Sequence, residues 1–63
     1  MGYYIFNLER LKFWKNNKIG YTNNIEEAGR YTEKESYEII SDRYNKKNIR
    51  ISENDIGELK NII

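Results

Sequence analysis

The side chains of this 63-residue chain that could do chemistry are its charged ones, because it has no Cys and no His. Six carboxylates fall in one stretch: Glu26, Glu27, Glu33, Glu35, Glu38 and Asp42. Glu35, Glu38 and Asp42 are three and four apart, so a helix would put them on one face. Paired carboxylates can do acid–base work once a cleft positions them, and a chain this small rarely makes a cleft. An acidic face can also mimic phosphates and occupy a basic groove. The plainer reading is acid at a helix N-terminus plus a solvated face. Four cations, Arg10, Lys12, Lys15 and Lys18, surround Phe13 and Trp14. Bases stack on rings and phosphates meet lysines in single-strand binding. The same lysines also suit an outer strand face guarded against aggregation. No helix-turn-helix spacing or RNA-binding motif favours the sharper alternative.

The missing residue types exclude more. Without Cys there is no disulfide, and zinc sites made of Cys and His are ruled out. Ser–His and Cys–His nucleophilic catalysis fall with them. No catalytic residue, cofactor site or metal ligand is assigned, and the chain reads as a binding protein and not an enzyme. Nine aromatics, six of them Tyr, are more than a tiny core easily hides. If Tyr4, Phe6, Phe13, Tyr37, Ile40 and Tyr44 fill the core, then Tyr3, Trp14, Tyr21 and Tyr31 are left over. Tyr and Trp are favoured as interface hot spots. The expected partner-binding set is therefore Trp14, Tyr3, Tyr21 and Tyr31 with Lys12 and Lys15, and Trp14 as its anchor.

The elements that must position these residues follow from periodicity. Residues 2–8 alternate as a strand, with Tyr4, Phe6 and Leu8 on the more apolar face and Tyr3, Ile5 and Asn7 on the other. Glu9-Arg10 breaks it. Residues 11–15 form a second strand, with Leu11 and Phe13 opposite Lys12 and Trp14, and the short break predicts an antiparallel hairpin. Asn16-Asn17 suits a tight turn, because Asn tolerates positive φ. Residues 18–22 could add a third strand, with Gly20 at a bulge or close approach.

Asn24 with Glu27 reads as a capping box opening a short helical turn, stopped by Gly29 in the left-handed conformation. Thr32 with Glu35 repeats the capping pattern and opens a helix to about Tyr44. Its acids sit in the first turn and Arg43 in the last. Tyr37, Ile40 and Tyr44 share a face, widened by Ile39. Residues 45–48 make a polar turn, and Ile49-Arg50-Ile51 a strand that packs back under the helix. Ser52 to Asp55 is a third capping pattern. It opens a C-terminal helix through Lys60, weakened by Gly57, or a tail in which Ile62 and Ile63 dock or join an interface.

The expected fold is a single α+β domain over 1–63: a small antiparallel sheet, made of the N-terminal hairpin plus a C-terminal strand, packed against one main helix. Such a core supplies roughly 3–5 kcal/mol, and small domains without a staple often oligomerise, so a homodimer is expected. Charge is uneven: residues 1–24 carry four positive and one negative charge, 25–42 two positive and six negative, and 43–63 five positive and three negative. The net charge of +1 does not by itself call for nucleic acid or membrane. No run is long enough for a signal peptide or membrane span, and the expected compartment is the cytoplasm.

The stretch Phe13-Trp14-Lys15-Asn16-Asn17-Lys18-Ile19-Gly20-Tyr21-Thr22, then Glu27-Ala28-Gly29-Arg30-Tyr31-Thr32 and Glu35, resembles small proteins of phages and prophages. These carry a Trp, then Gly-Tyr-Thr, then Ala-Gly-x-Tyr and a capped helix. The resemblance covers residues 3–40 and implies a phage setting in an infected bacterial cell. Small phage proteins of this kind include inhibitors of bacterial immunity, among them anti-CRISPR proteins and inhibitors of the Hachiman, Gabija and Thoeris systems. The leading expectation is thus a phage-encoded inhibitor of an anti-phage defence system, acting by stoichiometric binding to a defence protein. The alternative is a nucleic-acid-binding accessory protein that uses the basic aromatic hairpin.

Overall fold

A computed structural model describes residues 2–42 and 47–55. The described elements are strands β1 (Tyr3–Asn7), β2 (Lys12–Trp14), β3 (Tyr21–Thr22) and β4 (Asn48–Ser52), and one helix, α1 (Glu33–Ile40). The four strands form one antiparallel sheet in the order β3-β2-β1-β4 with α1 packed on it, which is the expected α+β architecture.

The hairpin between β1 and β2 is organised by Asn7. Its Oδ1 accepts from the amides of Glu9 (3.1 Å) and Arg10 (2.7 Å), and its carbonyl accepts from the Leu11 amide. A short polar side chain bonding its own backbone two and three residues on is what closes such turns. The turn ends with Leu11 at φ 55°, a left-handed backbone that costs an L-residue roughly 1–2 kcal/mol. The Asn16-Asn17 turn forms as expected, with Asn17 at φ 59°, and Gly20 has φ +79° before β3. The third strand is shorter than the expected 18–22, because residues 16–18 are used in that turn.

Beyond the Phe6–Phe13 pair the strands β1 and β2 part, and residues 28–31 bridge to both. Tyr3 and Tyr31 exchange both backbone hydrogen bonds at 2.8 Å, and the Gly29 amide donates to the Trp14 carbonyl at 2.9 Å. Gly29 is therefore not the left-handed helix stop expected, since it is absent from the positive-φ positions. It is needed because a Cβ there would sit 2.7 Å from the Asn16 nitrogen. The short turn expected after Asn24 forms, with the Glu27 amide donating to the Asn24 carbonyl and the Ala28 amide to that of Ile25, but its capping box does not close. Glu27 turns its carboxylate to the Thr22 hydroxyl (3.3 Å) instead of back to Asn24, whose Oδ1 accepts from the Glu26 amide.

The capping box at Thr32 and Glu35 is complete, with both bonds at 3.1 Å. It starts α1 at Glu33. The helix ends at Ile40, four residues earlier than expected, and Arg43 and Tyr44 lie outside the described residues. The face it buries differs from the expected Tyr37–Ile40–Tyr44 stripe: Ser36 and Ile39 turn inward, with Ile40 beside them, and Tyr37 is 61% exposed. Ser36 is small enough to let helix and sheet approach, and Arg50 bonds both its hydroxyl and the Glu33 carbonyl. The strand expected at 49–51 extends over 48–52. A turn follows in which the Asn54 amide donates to the Ser52 hydroxyl. The C-terminal helix expected through Lys60, with Gly57, Ile62 and Ile63, lies outside the described residues.

The sheet register decides which face the helix covers. Ile5 pairs with Arg50, Asn7 with Lys12 and Asn48, and Trp14 with Tyr21. Directly paired residues share a face, so Tyr3, Ile5, Asn7, Trp14, Tyr21, Asn48 and Arg50 lie on one side. The core cluster of Ile5 (fully buried), Tyr31 and Ile39, joined by Trp14 and Ile40, shows that α1 lies on that side. The more apolar alternation, Tyr4, Phe6 and Leu8, was expected to meet the helix and faces the other way. The covered face succeeds because its polar groups pair: the Asn7 Nδ2 (2.8 Å) and the Trp14 Nε1 (3.1 Å) both donate to the Asn48 Oδ1.

Candidate interaction surface

The opposite face of the sheet carries Tyr4, Phe6, Phe13, Ile49 and Ile51, read from the same register. No helix or strand among the described residues covers it. Phe13 meets Phe6 edge-to-face at 5.0 Å and Tyr4 at 6.1 Å, geometries that suit aromatic quadrupoles. Tyr4 is buried beneath this cluster, Phe6, Phe13 and Ile51 are half-buried, and Ile49 is 41% exposed. The ladder runs on to Leu8, whose amide donates to the Lys47 carbonyl at 2.7 Å. Leu8 is 48% exposed and Leu11, at the hairpin tip, 66%. An apolar surface therefore runs from the sheet centre to the tip of the hairpin.

The expected site residues divide. Trp14, Tyr21 and Tyr31 come together on the helix side, Trp14 meeting each of the two tyrosines edge-on at 6.3 Å. Tyr31 is 5% exposed, and its hydroxyl donates to the Lys15 carbonyl and accepts from the Lys18 amide (3.0 Å). Burial raises its phenol above the ordinary value of 10.0, against the lowering by the Lys18 amide. Its ring offers nothing to a partner. Trp14 is half-buried against Ile5, Tyr31 and Ile39 with its indole N–H already bonded, so part of the ring expected as an anchor is committed to packing. Tyr3 sits apart under the Arg50 guanidinium (4.7 Å), and Tyr21 under that of Arg10 (4.8 Å). Lys12 and Lys15 are exposed. The exposed Leu8, Leu11 and Ile49 and the half-buried Phe6 and Phe13 were not in the expected set. Their signal was the strand alternation itself, assigned to the core.

The acidic stretch disperses into local tasks. Glu27 bonds Thr22, Glu35 closes the helix cap, and Glu38 and Asp42 border a shallow groove with Lys18. Among the described residues no group of three acids is gathered closely enough to hold a metal. The ion pairs Arg30–Glu53 at 4.0 Å and Lys47–Glu9 at 3.9 Å are long and largely exposed, worth about 0–1 kcal/mol each. No helix among the described residues is long and apolar enough to cross a membrane.

Hydrogen bonds from the Thr32 amide and hydroxyl hold the Glu35 carboxyl below its ordinary value of 4.5. A depressed folded value means the charged cap stabilises above that pH and is lost as pH falls through the folded value. Glu35→Gln keeps a cap acceptor but cannot titrate. A melting series from neutral pH down through 4.5 should show a flatter acid limb for this variant than for the parent chain. Comparison with protein-family models, curated proteins and solved structures finds no match to this chain.

Proposed function

We propose that this chain is a stoichiometric protein-binding inhibitor that grips its target through the open face of the sheet. The observation that carries the reading is the apolar run of Phe6, Phe13, Ile49 and Leu8 on a face no described element covers, with the exposed Leu11 at the adjoining hairpin tip. Exposed apolar surface of this kind marks protein contact sites. Leu11 adds to it. A leucine held at positive φ costs stability, and such strain persists where function uses it.

The identity of the target class rests on the resemblance to phage and prophage proteins carried by residues 3–40. It supports a bacterial anti-phage defence protein, met in the cytoplasm of the infected cell. The chain acts by occupying a surface and not by catalysis.

The test is capture from a bacterial lysate with the tagged chain, followed by Leu8→Lys and Leu11→Gly. The reading expects one host defence protein retained at one-to-one stoichiometry and lost with either variant. Leu11→Gly should at the same time raise the melting midpoint, since relieving the left-handed strain is worth about 1 kcal/mol, or roughly 4–8 °C in a domain of this size. A captured protein that both variants still bind at full affinity would remove the open face from the account.

A second reading has one observation in its favour. Arg10, stacked on Tyr21, lies on the same side of the sheet as Lys12 and Trp14, an aromatic–cationic group of the sort single strands use. It requires oligonucleotide binding that weakens steeply with salt. No binding near physiological salt would dismiss it.

A further inference from the structure

The outer edge of β4 carries an inference independent of the target. Leu8 donates to the Lys47 carbonyl and Glu53 to the Gly2 carbonyl, in register with the β1–β4 ladder. Antiparallel bonds alternate along a strand, so residues 47, 49, 51 and 53 bond inward to β1, and the backbone groups of Asn48 and Arg50 point away from the sheet. No described strand pairs with that edge. Natural edges are guarded by outward charges, proline or bulges. This one has a regular five-residue register and no proline, and its one charge is drawn back over the sheet. The Arg50 guanidinium lies on the Tyr3 ring and bonds the Ser36 hydroxyl (3.2 Å) and the Glu33 carbonyl (3.3 Å).

We propose that β4 pairs antiparallel with β4 of a second copy of this chain, about a two-fold axis at Arg50, making one eight-stranded sheet. In this register Ile49 faces the partner's Ile51, so the open apolar faces of the two copies join into one surface. Because Arg50 touches Glu33 and Ser36, the axis passes beside the first turns of α1. An open groove of about 400 Å³ runs there, lined by Glu33, Lys34, Tyr37 and Arg50. Its neighbouring acid and base are self-complementary across a two-fold axis, where the same patch meets itself in reverse. The exposed Tyr37 ring fills the partner's groove. The helix lies over β1 and β4. Strands paired at about 4.8 Å therefore bring the two helices near the 8–10 Å of ordinary helix packing.

Sedimentation equilibrium of the full chain tests this. The expected mass is twice the 7.7 kDa of one chain. Tyr37→Lys, at an exposed helix position, should weaken self-association about thirtyfold or more and leave the circular dichroism of the dilute chain unchanged. Lys34→Glu, which gathers acids at the axis, should weaken it as well. A single-chain mass up to on the order of 100 µM would overturn the proposal. So would a dimer whose affinity neither substitution alters.

Discussion

Gly29→Ala should lower the melting midpoint by roughly 10–20 °C, the shift that about 2–3 kcal/mol makes in a domain of this size. The added methyl would lie 2.7 Å from the Asn16 nitrogen, 2.8 Å from the Lys15 carbonyl carbon and 2.9 Å from the Asn16 Cα. All three are backbone atoms, so no side chain can rotate away. Relief requires moving residues 28–31 off the turn at 15–16. That would strain the Gly29–Trp14 bond and the paired bonds between Tyr3 and Tyr31. Overpacking at one site typically costs 1–3 kcal/mol, and a core this small supplies only roughly 3–5 kcal/mol. Gly20→Ala is the control. It meets nothing closer than 4.0 Å and carries only the cost of a left-handed alanine, about 1 kcal/mol. A loss at Gly20 as large as that at Gly29 would mean that conformation, and not approach, governs both.

Trp14→Ala should leave the chain largely unfolded at room temperature. Trimming a buried Trp to Ala costs about 3–5 kcal/mol; Trp14 is half-buried, which lowers the packing part, and its hydrogen bond raises the total. The indole packs on Ile5, Tyr31 and Ile39 and donates to the Asn48 Oδ1. Asn48 is 5% exposed, and its Nδ2 already has no partner among the described residues, so a second loss falls on a strained polar cluster. Far-ultraviolet circular dichroism with a urea titration would measure it. A folded Trp14→Ala with parental stability would show that the indole belongs to an interface.

The strands were legible in the sequence because their alternation is local, and the Thr32–Glu35 cap and the Asn16-Asn17 turn because each rests on bonds within a few residues. The choice of sheet face was not. Alternation tells which residues share a side, and it grouped Tyr4 with Phe6 and Tyr3 with Ile5 correctly. It is silent on which side the helix takes. Counting apolar residues favoured Tyr4, Phe6 and Leu8. The helix instead covers the face where Asn7 and Trp14 donate to the Asn48 Oδ1 and Arg50 to Ser36, bonds between residues far apart in sequence. Gly29 was misread for the same reason, since its constraint comes from the chain 13 residues earlier. The proposed contact surface followed from the face: Trp14 and Tyr31 pack on the helix side, and the open side carries half-buried Phe6 and Phe13 with exposed Leu8 and Ile49.

The helix side of the sheet is interior, and the open side is the proposed contact surface. Trp14 is the chain's one tryptophan, so its fluorescence reports on this directly during titration with the captured host protein, provided that protein's own signal is subtracted. Trp14 emission should already be blue-shifted from that of the urea-unfolded chain, and unmoved as the partner saturates the open face. Emission like that of the unfolded chain, shifting to the blue only on binding, would contradict this and return Trp14 to the interface.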